Sequence, residues 1–172
     1  MILVLDNEPF ESALLQKLAD ACNNTTEDIK IYLCSGGGRV SILKAMLHLI
    51  NSASHRFELI GFHSLYSCAF EFYLKAECKK DLLVGTMGLC HLGITSIDFN
   101  DKGKVVWGND EGVIQRQKQF HLPEIRKMME DCEFHPKEKK KVESGADLYI
   151  QYDRFKEMEA AYNKNNKMFV YL

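Results

Sequence analysis

IKIYLCSGGGRV, residues 29–40, is the stretch that decides the fold. Ile29 to Cys34 reads as a strand, the glycines at 36–38 break it, and a helical pattern starts at Val40. Strand, glycine turn and helix in that order form one step of an α/β layered sheet. Working outward, MILVL at 1–5 is a short strand, and residues 11–22 carry Leu14, Leu15, Leu18, Ala19 and Cys22 at helical spacing. Downstream, 40–51 is a helix apolar on most of its circumference, and Arg56 to Phe62 is a third strand. SCAFEFYLKA from Ser67 is a buried helix, and Leu82–Val84 and Gly88–Leu92 are short strands. The alternation predicts at least partly parallel pairing, in a single domain spanning 1–172.

Beyond Ile97 the character changes. FNDKGKVVW has turn residues between two β-prone stretches and predicts a hairpin at 98–108. Residues 111–134 predict a long, charged, amphipathic helix kinked at Pro123. Lys137–Lys141 reads as a solvated helix face, and Met168–Leu172 as a terminal strand.

The bulk properties narrow the function classes. The chain has 172 residues, 46% of them hydrophobic, and 22 basic against 24 acidic side chains give a net charge of −2. That balance offers no ground for a nucleic-acid or anionic-membrane partner. No apolar run approaches the ~20 residues a membrane-spanning helix needs. The N-terminus lacks the basic segment of a secretory signal, and six cysteines lie scattered without metal or redox spacing. Four of them sit in hydrophobic segments as reduced thiols, which points to the cytoplasm. His121, Glu124, His135 and Glu138 make no metal motif, so neither metal nor cofactor is expected.

Three features bear chemistry. The triple glycine lacks both phosphate-loop signatures, which leaves a strain-relieving turn or an oxyanion hole built from backbone N–H groups. Ser67 follows a strand and opens a helix, where a serine either caps the helix or, beside the positive helix end, acts as a nucleophile. His91 lies in an apolar strand, where a histidine is either a satisfied core residue or the base that a serine hydroxyl requires.

Taken together, these segments resemble ClpP, the proteolytic subunit of the Clp protease. IKIYLCSGGGRV is similar to that family's strand and Asn-Ser-Pro-Gly-Gly turn, and FHSLYSCAFEFYLKA (62–76) to its Gly-x-Ala-x-Ser nucleophile segment. GLCHLG (88–93) is similar to its Met-Ile-His-Gln-Pro segment, and ESGADLYIQYDRFKEMEA (143–160) to the stretch that carries the acid. The resemblance implies a ClpP/crotonase-like layered fold of repeated β-β-α units, with a protruding handle near 111–134. It implies Ser67 as nucleophile, His91 as base, Asp147 as acid, and the N–H groups of Gly38 and Cys68 as the oxyanion hole. The 29 residues from Gly38 to Ser67 and the 24 from Ser67 to His91 match the family's spacing. The chain departs from the pattern at Gly36, which replaces a proline, at His63, which replaces a glycine, and at Leu65 and Tyr66, which replace small residues. The 56 residues from His91 to Asp147 exceed the usual span, with the hairpin taking up the excess, and Glu143 is an alternative acid one helical turn away.

The resemblance implies a serine endopeptidase acting on peptides or unfolded proteins as a homo-oligomeric ring. An ATPase partner belongs to the family pattern, although the start at MILVL leaves little room for the axial loop that such a partner engages. Two alternatives stay open: a non-catalytic scaffold on the same fold, and a crotonase-like acyl-CoA enzyme. Two structural expectations follow. The apolar residues of 111–134, among them Ile125, Met128 and Met129, should face other subunits, and Asp147 should be largely removed from water.

Overall fold

The computed structural model describes residues 1–92 and 122–167, with the backbone alone at 97–99 and 105–107. β1 (Ile2–Asp6), α1 (Ser12–Asn24), β2 (Ile29–Ser35), α2 (Val40–Ser52), β3 (Phe57–Tyr66) and α3 (Cys68–Lys75) alternate as the hydrophobic pattern requires. β4 (Lys79–Leu82) and β5 (Met87–Cys90) follow, then β6 (Ile97–Phe99) and β7 (Val105–Trp107). The chain continues through α4 (Leu122–Asp131), α5 (Pro136–Glu143), β8 (Leu148–Ile150) and α6 (Tyr152–Asn165).

The main sheet runs β1-β2-β3-β5-β8, with β4 also paired to β3. Every pairing in it is parallel except that of β5 with β8. Side chains alternate across each strand. Leu5, Ile31, Leu33, Leu59, Leu65, Cys90 and Ile150 point into one core with the helices. Within it Phe70 of α3 and Phe155 of α6 stack with ring centroids 4.9 Å apart. Buried Glu159 accepts a hydrogen bond from Tyr73 Oη at 3.0 Å and pairs with Lys156.

The opposite sheet face is less covered: Ile2 and Val4 on β1 are 68% and 56% exposed, and Tyr149 on β8 is 54% exposed. Ile60 and Leu89 are buried on that side, apart from the main core.

Several boundaries differ from expectation. β3 continues four residues past Phe62, because its ladder with β2 is bulged: one residue lies between Leu33 and Ser35, and three lie between their partners Gly61 and Leu65. His63 lies in this bulge at φ 55, a left-handed conformation that glycine adopts without strain. β4 forms three residues earlier than expected and β5 one residue earlier. β6 and β7 pair antiparallel, Ile97 with Trp107 and Phe99 with Val105, as the hairpin reading requires.

The helix expected over 111–134 ends at Asp131. Glu133 takes φ 53, the Phe134 N–H turns back to Met129 O at 2.9 Å, and Pro136 opens a separate helix. Residues 111–121, with Val113, Ile114 and Phe120, lie outside the described residues, as do His121 and the strand expected at 168–172. The described helix begins at Leu122, with Pro123 its second residue. Ile125, Met128 and Met129 do not await another subunit, because all three are buried in this chain's own core. Lys137, Lys140 and Lys141 are exposed on α5 while Val142 turns inward.

Candidate active site

Three parallel strands deliver their carboxyl ends to one place, where open α/β sheets commonly bind ligands. β2 ends in the turn 36–38, β3 in Ser67, and β5 runs out to His91. The Ser67 N–H donates to Leu89 O at 2.8 Å, which extends the β3–β5 ladder and fixes the serine beside the end of β5.

Ser67 occupies the N-cap position of α3, but its side chain makes no capping bond. The hydroxyl meets His91 Nε2 at 2.8 Å, and His91 Nδ1 meets Asp147 Oδ1 at 3.0 Å. The Ser67 backbone sits at φ 54, ψ −121, which is glycine territory in type II′ turns and strained for a residue with a Cβ. The strain has a geometric result: the hydroxyl stands away from the helix and toward the imidazole.

Gly37 makes that turn possible. At φ +93, a Cβ on Gly37 would lie 2.6 Å from Tyr66 O and 2.7 Å from Ser67 Cβ. Gly38 is held from the other side, where Phe10 N donates to Gly37 O at 2.8 Å and Arg39 N donates to Phe10 O at 2.9 Å. A residue bracketed in this way turns its own N–H and C=O away from the bracketing strand. The Gly38 carbonyl accordingly faces Ser67–Cys68, where it accepts a hydrogen bond from Cys68 Sγ at 3.1 Å. The Phe10 ring packs edge-on against Phe72 of α3 at 5.6 Å, so the turn and the helix rest on one shared side chain.

Asp147 enters from the other half of the chain, just ahead of β8, through the antiparallel pairing of β8 with β5. It is not removed from water: its side chain is 51% exposed and that of His91 is 27% exposed. Among the described residues β8 is the sheet's last strand, and Asp147 precedes it after the turn at Gly145, so among those residues it is flanked on the β5 side only. The Glu143 carboxylate is engaged elsewhere, receiving Arg126 Nε at 2.6 Å.

Burial, with a smaller push from the Glu71 carboxylate, raises the Cys68 thiol to about 11 and keeps it protonated. All six cysteines are free, with Cys34, Cys68, Cys90 and Cys132 buried. No group of three or more metal-ligating side chains occurs among the described residues.

Sequence reasoning missed the Tyr66–Tyr149 pair, whose rings meet edge-to-face at 6.2 Å beside Ser67 and Asp147. The i+2 relation of Tyr149 to Asp147, which directly precedes β8, was the available signal.

Among solved structures, the chain is similar to a point mutant of ClpP1 from Listeria monocytogenes. The TM-score is 0.61 over 92% of this chain and 86% of that one, with 14% sequence identity. Its fold is ClpP-like. The ClpP-like architecture is carried by geometry rather than by sequence: no family model matches the chain, and neither does any curated protein.

Proposed function

We propose that this ClpP-like chain is a serine endopeptidase, acting as one domain over residues 1–172. The hydrogen-bonded relay from Ser67 Oγ through the His91 ring to Asp147 carries this reading. Ser67 Oγ attacks a peptide carbonyl carbon while its proton passes to His91 Nε2, and the carbonyl electron pair moves onto oxygen. Asp147 holds the Nδ1 proton, which leaves Nε2 free to accept and stabilises the imidazolium that forms. The N–H groups of Gly38 and of Cys68, at the start of α3, hold the oxyanion. Collapse breaks the C–N bond as His91 returns the proton to the leaving amine. Water then attacks the acyl-serine by the same route and regenerates the hydroxyl.

The substrate is a peptide or unfolded protein segment, and the protein acts as a homo-oligomer in the cytoplasm. No helix among the described residues is long and apolar enough to cross a membrane.

A fluorophosphonate probe tests the reading. It should label wild-type protein at Ser67, with a matching mass shift on the peptide containing it, and the protein should cleave an unstructured casein. Ser67→Ala should abolish both. Wild-type protein that neither labels nor cleaves would leave the scaffold reading in possession. Turnover of an acyl-CoA thioester that survives Ser67→Ala would establish the crotonase-like one.

A further inference from the structure

In the peptidase reading the Cys68 amide has a role and its side chain has none. Yet the Cys68 thiol makes the one hydrogen bond, among the described residues, that joins the glycine turn to the start of α3. The turn itself is braced from behind by the two bonds to Phe10, and from within by the Gly37 N–H, which donates to Ser35 Oγ at 3.1 Å; none of these reaches α3. Its glycines, at φ +93 and +153, have no side chains with which to fix their distance from the helix. Two donors on separate elements serve one oxygen only if their spacing is held, and the 3.1 Å contact from Sγ to the Gly38 carbonyl spans that gap.

We propose that the Cys68 side chain is a positioning residue, whose S–H bond to Gly38 O ties the strand-side donor of the oxyanion hole to the helix-side donor. The proposal rests on the peptidase reading of the same site. Burial favours the protonated thiol over any contrary pull from the Gly38 backbone and the Ser67 hydroxyl, so the side chain remains a donor at neutral pH.

Cys68→Ala and Cys68→Ser separate the tie from mere packing. Alanine removes the donor, whereas serine keeps one of similar size. With wild-type protein as reference, the rate of fluorophosphonate acylation and the kcat and KM for a fluorogenic peptide should be measured beside thermal melts. Cys68→Ala should lower kcat and the acylation rate by roughly 10- to 100-fold with little change in KM. Cys68→Ser should recover most of that loss even where its melting temperature is no higher than that of the alanine variant. An active wild type with an equally active Cys68→Ala overturns the proposal and leaves the peptidase reading standing. So does a faster alanine variant, which would mean that the thiol obstructs the oxyanion position. A loss equal in both variants and tracking their melting temperatures also overturns it. A wild type that neither labels nor turns over removes both the proposal and the reading beneath it.

Discussion

Asp147 accepts a hydrogen bond from the His91 ring while half its own side chain faces water, and solvent screens a carboxylate placed so. Asp147→Asn should therefore cost less than the ~10⁴-fold loss that follows the same change at a buried triad aspartate. A fall in kcat on the order of 10²-fold fits general-base support from a solvated partner. Glu143→Gln should leave kcat unchanged and lower only the melting temperature, because Glu143 is engaged by Arg126. A reversed pair of results, from steady-state kinetics on one peptide, would transfer the acid role to Glu143. Gly37 offers a second test at this scale. Gly37→Ala must place a Cβ 2.7 Å from that of Ser67 at a positive φ. The backbone penalty alone is about 1–2 kcal/mol, so the melting temperature should fall by several degrees and the acylation rate with it. The convergence of Ser67, His91 and Gly38 was legible in sequence because each follows a strand, at spacings close to those of the ClpP segments they resemble. The exposure of Asp147 was not, since it depends on β8 lying last in the sheet.

Among elements, the assembly that presents Asp147 is α5, β8 and α6, and Arg154 joins its two helices. Its guanidinium reaches Glu138 at 2.8 and 3.1 Å and Glu133 O at 2.9 Å, while Glu138 also accepts the His135 N–H at 2.7 Å. Burial pushes the Glu138 carboxyl upward, but Arg154 and the His135 amide outweigh it and hold the group below its ordinary range. Arg154→Gln should destabilise the fold by about 1.5–3 kcal/mol, the usual worth of hydrogen bonds to charged groups. Urea denaturation should show this as a lower midpoint, with kcat at low temperature largely retained; an unchanged midpoint would refute it. The break at Asp131 escaped the sequence reading for a related reason. Amphipathic spacing runs on through 134, and the left-handed Glu133 that ends the helix is not a glycine.

For the whole molecule, buried thiols set the response to alkali. Burial raises Cys68 and Cys78 to about 11 and Cys132 to about 12, and pushes Cys90 well above its ordinary value. An unfolded thiol ionises near 8.5. Between that value and the folded ones the native state binds more protons, so this contribution is full below about pH 8.5 and is lost as pH rises toward 11. Lys80 works the other way: burial lowers its amine to about 8, so its contribution grows as pH rises from there. With five thiols, Cys22 among them, against one amine, the urea midpoint should fall between pH 8.5 and 10. It should fall less steeply in Cys132→Ala and more steeply in Lys80→Met. Assembly is the other molecular property to measure. Ile125, Met128 and Met129 of α4 are spent within the chain, which turns the search for the surface of the expected homo-oligomer to places such as the Ile2 and Val4 face of β1. Light scattering at micromolar concentration should give a multiple of the 19.8 kDa chain, and Val4→Lys should reduce it. A monomeric wild type would remove that expectation.

The backbone of Ser67 has a consequence for how the sequence is kept. At φ 54, ψ −121 a glycine would sit without penalty, whereas serine and alanine both carry the strain of their Cβ. Ser67→Gly should therefore raise the melting temperature relative to Ser67→Ala, on the order of 1 kcal/mol, in a protein that has lost its hydroxyl. On the peptidase reading, the strain held at Ser67 is what it takes to present a hydroxyl at a position whose backbone suits glycine.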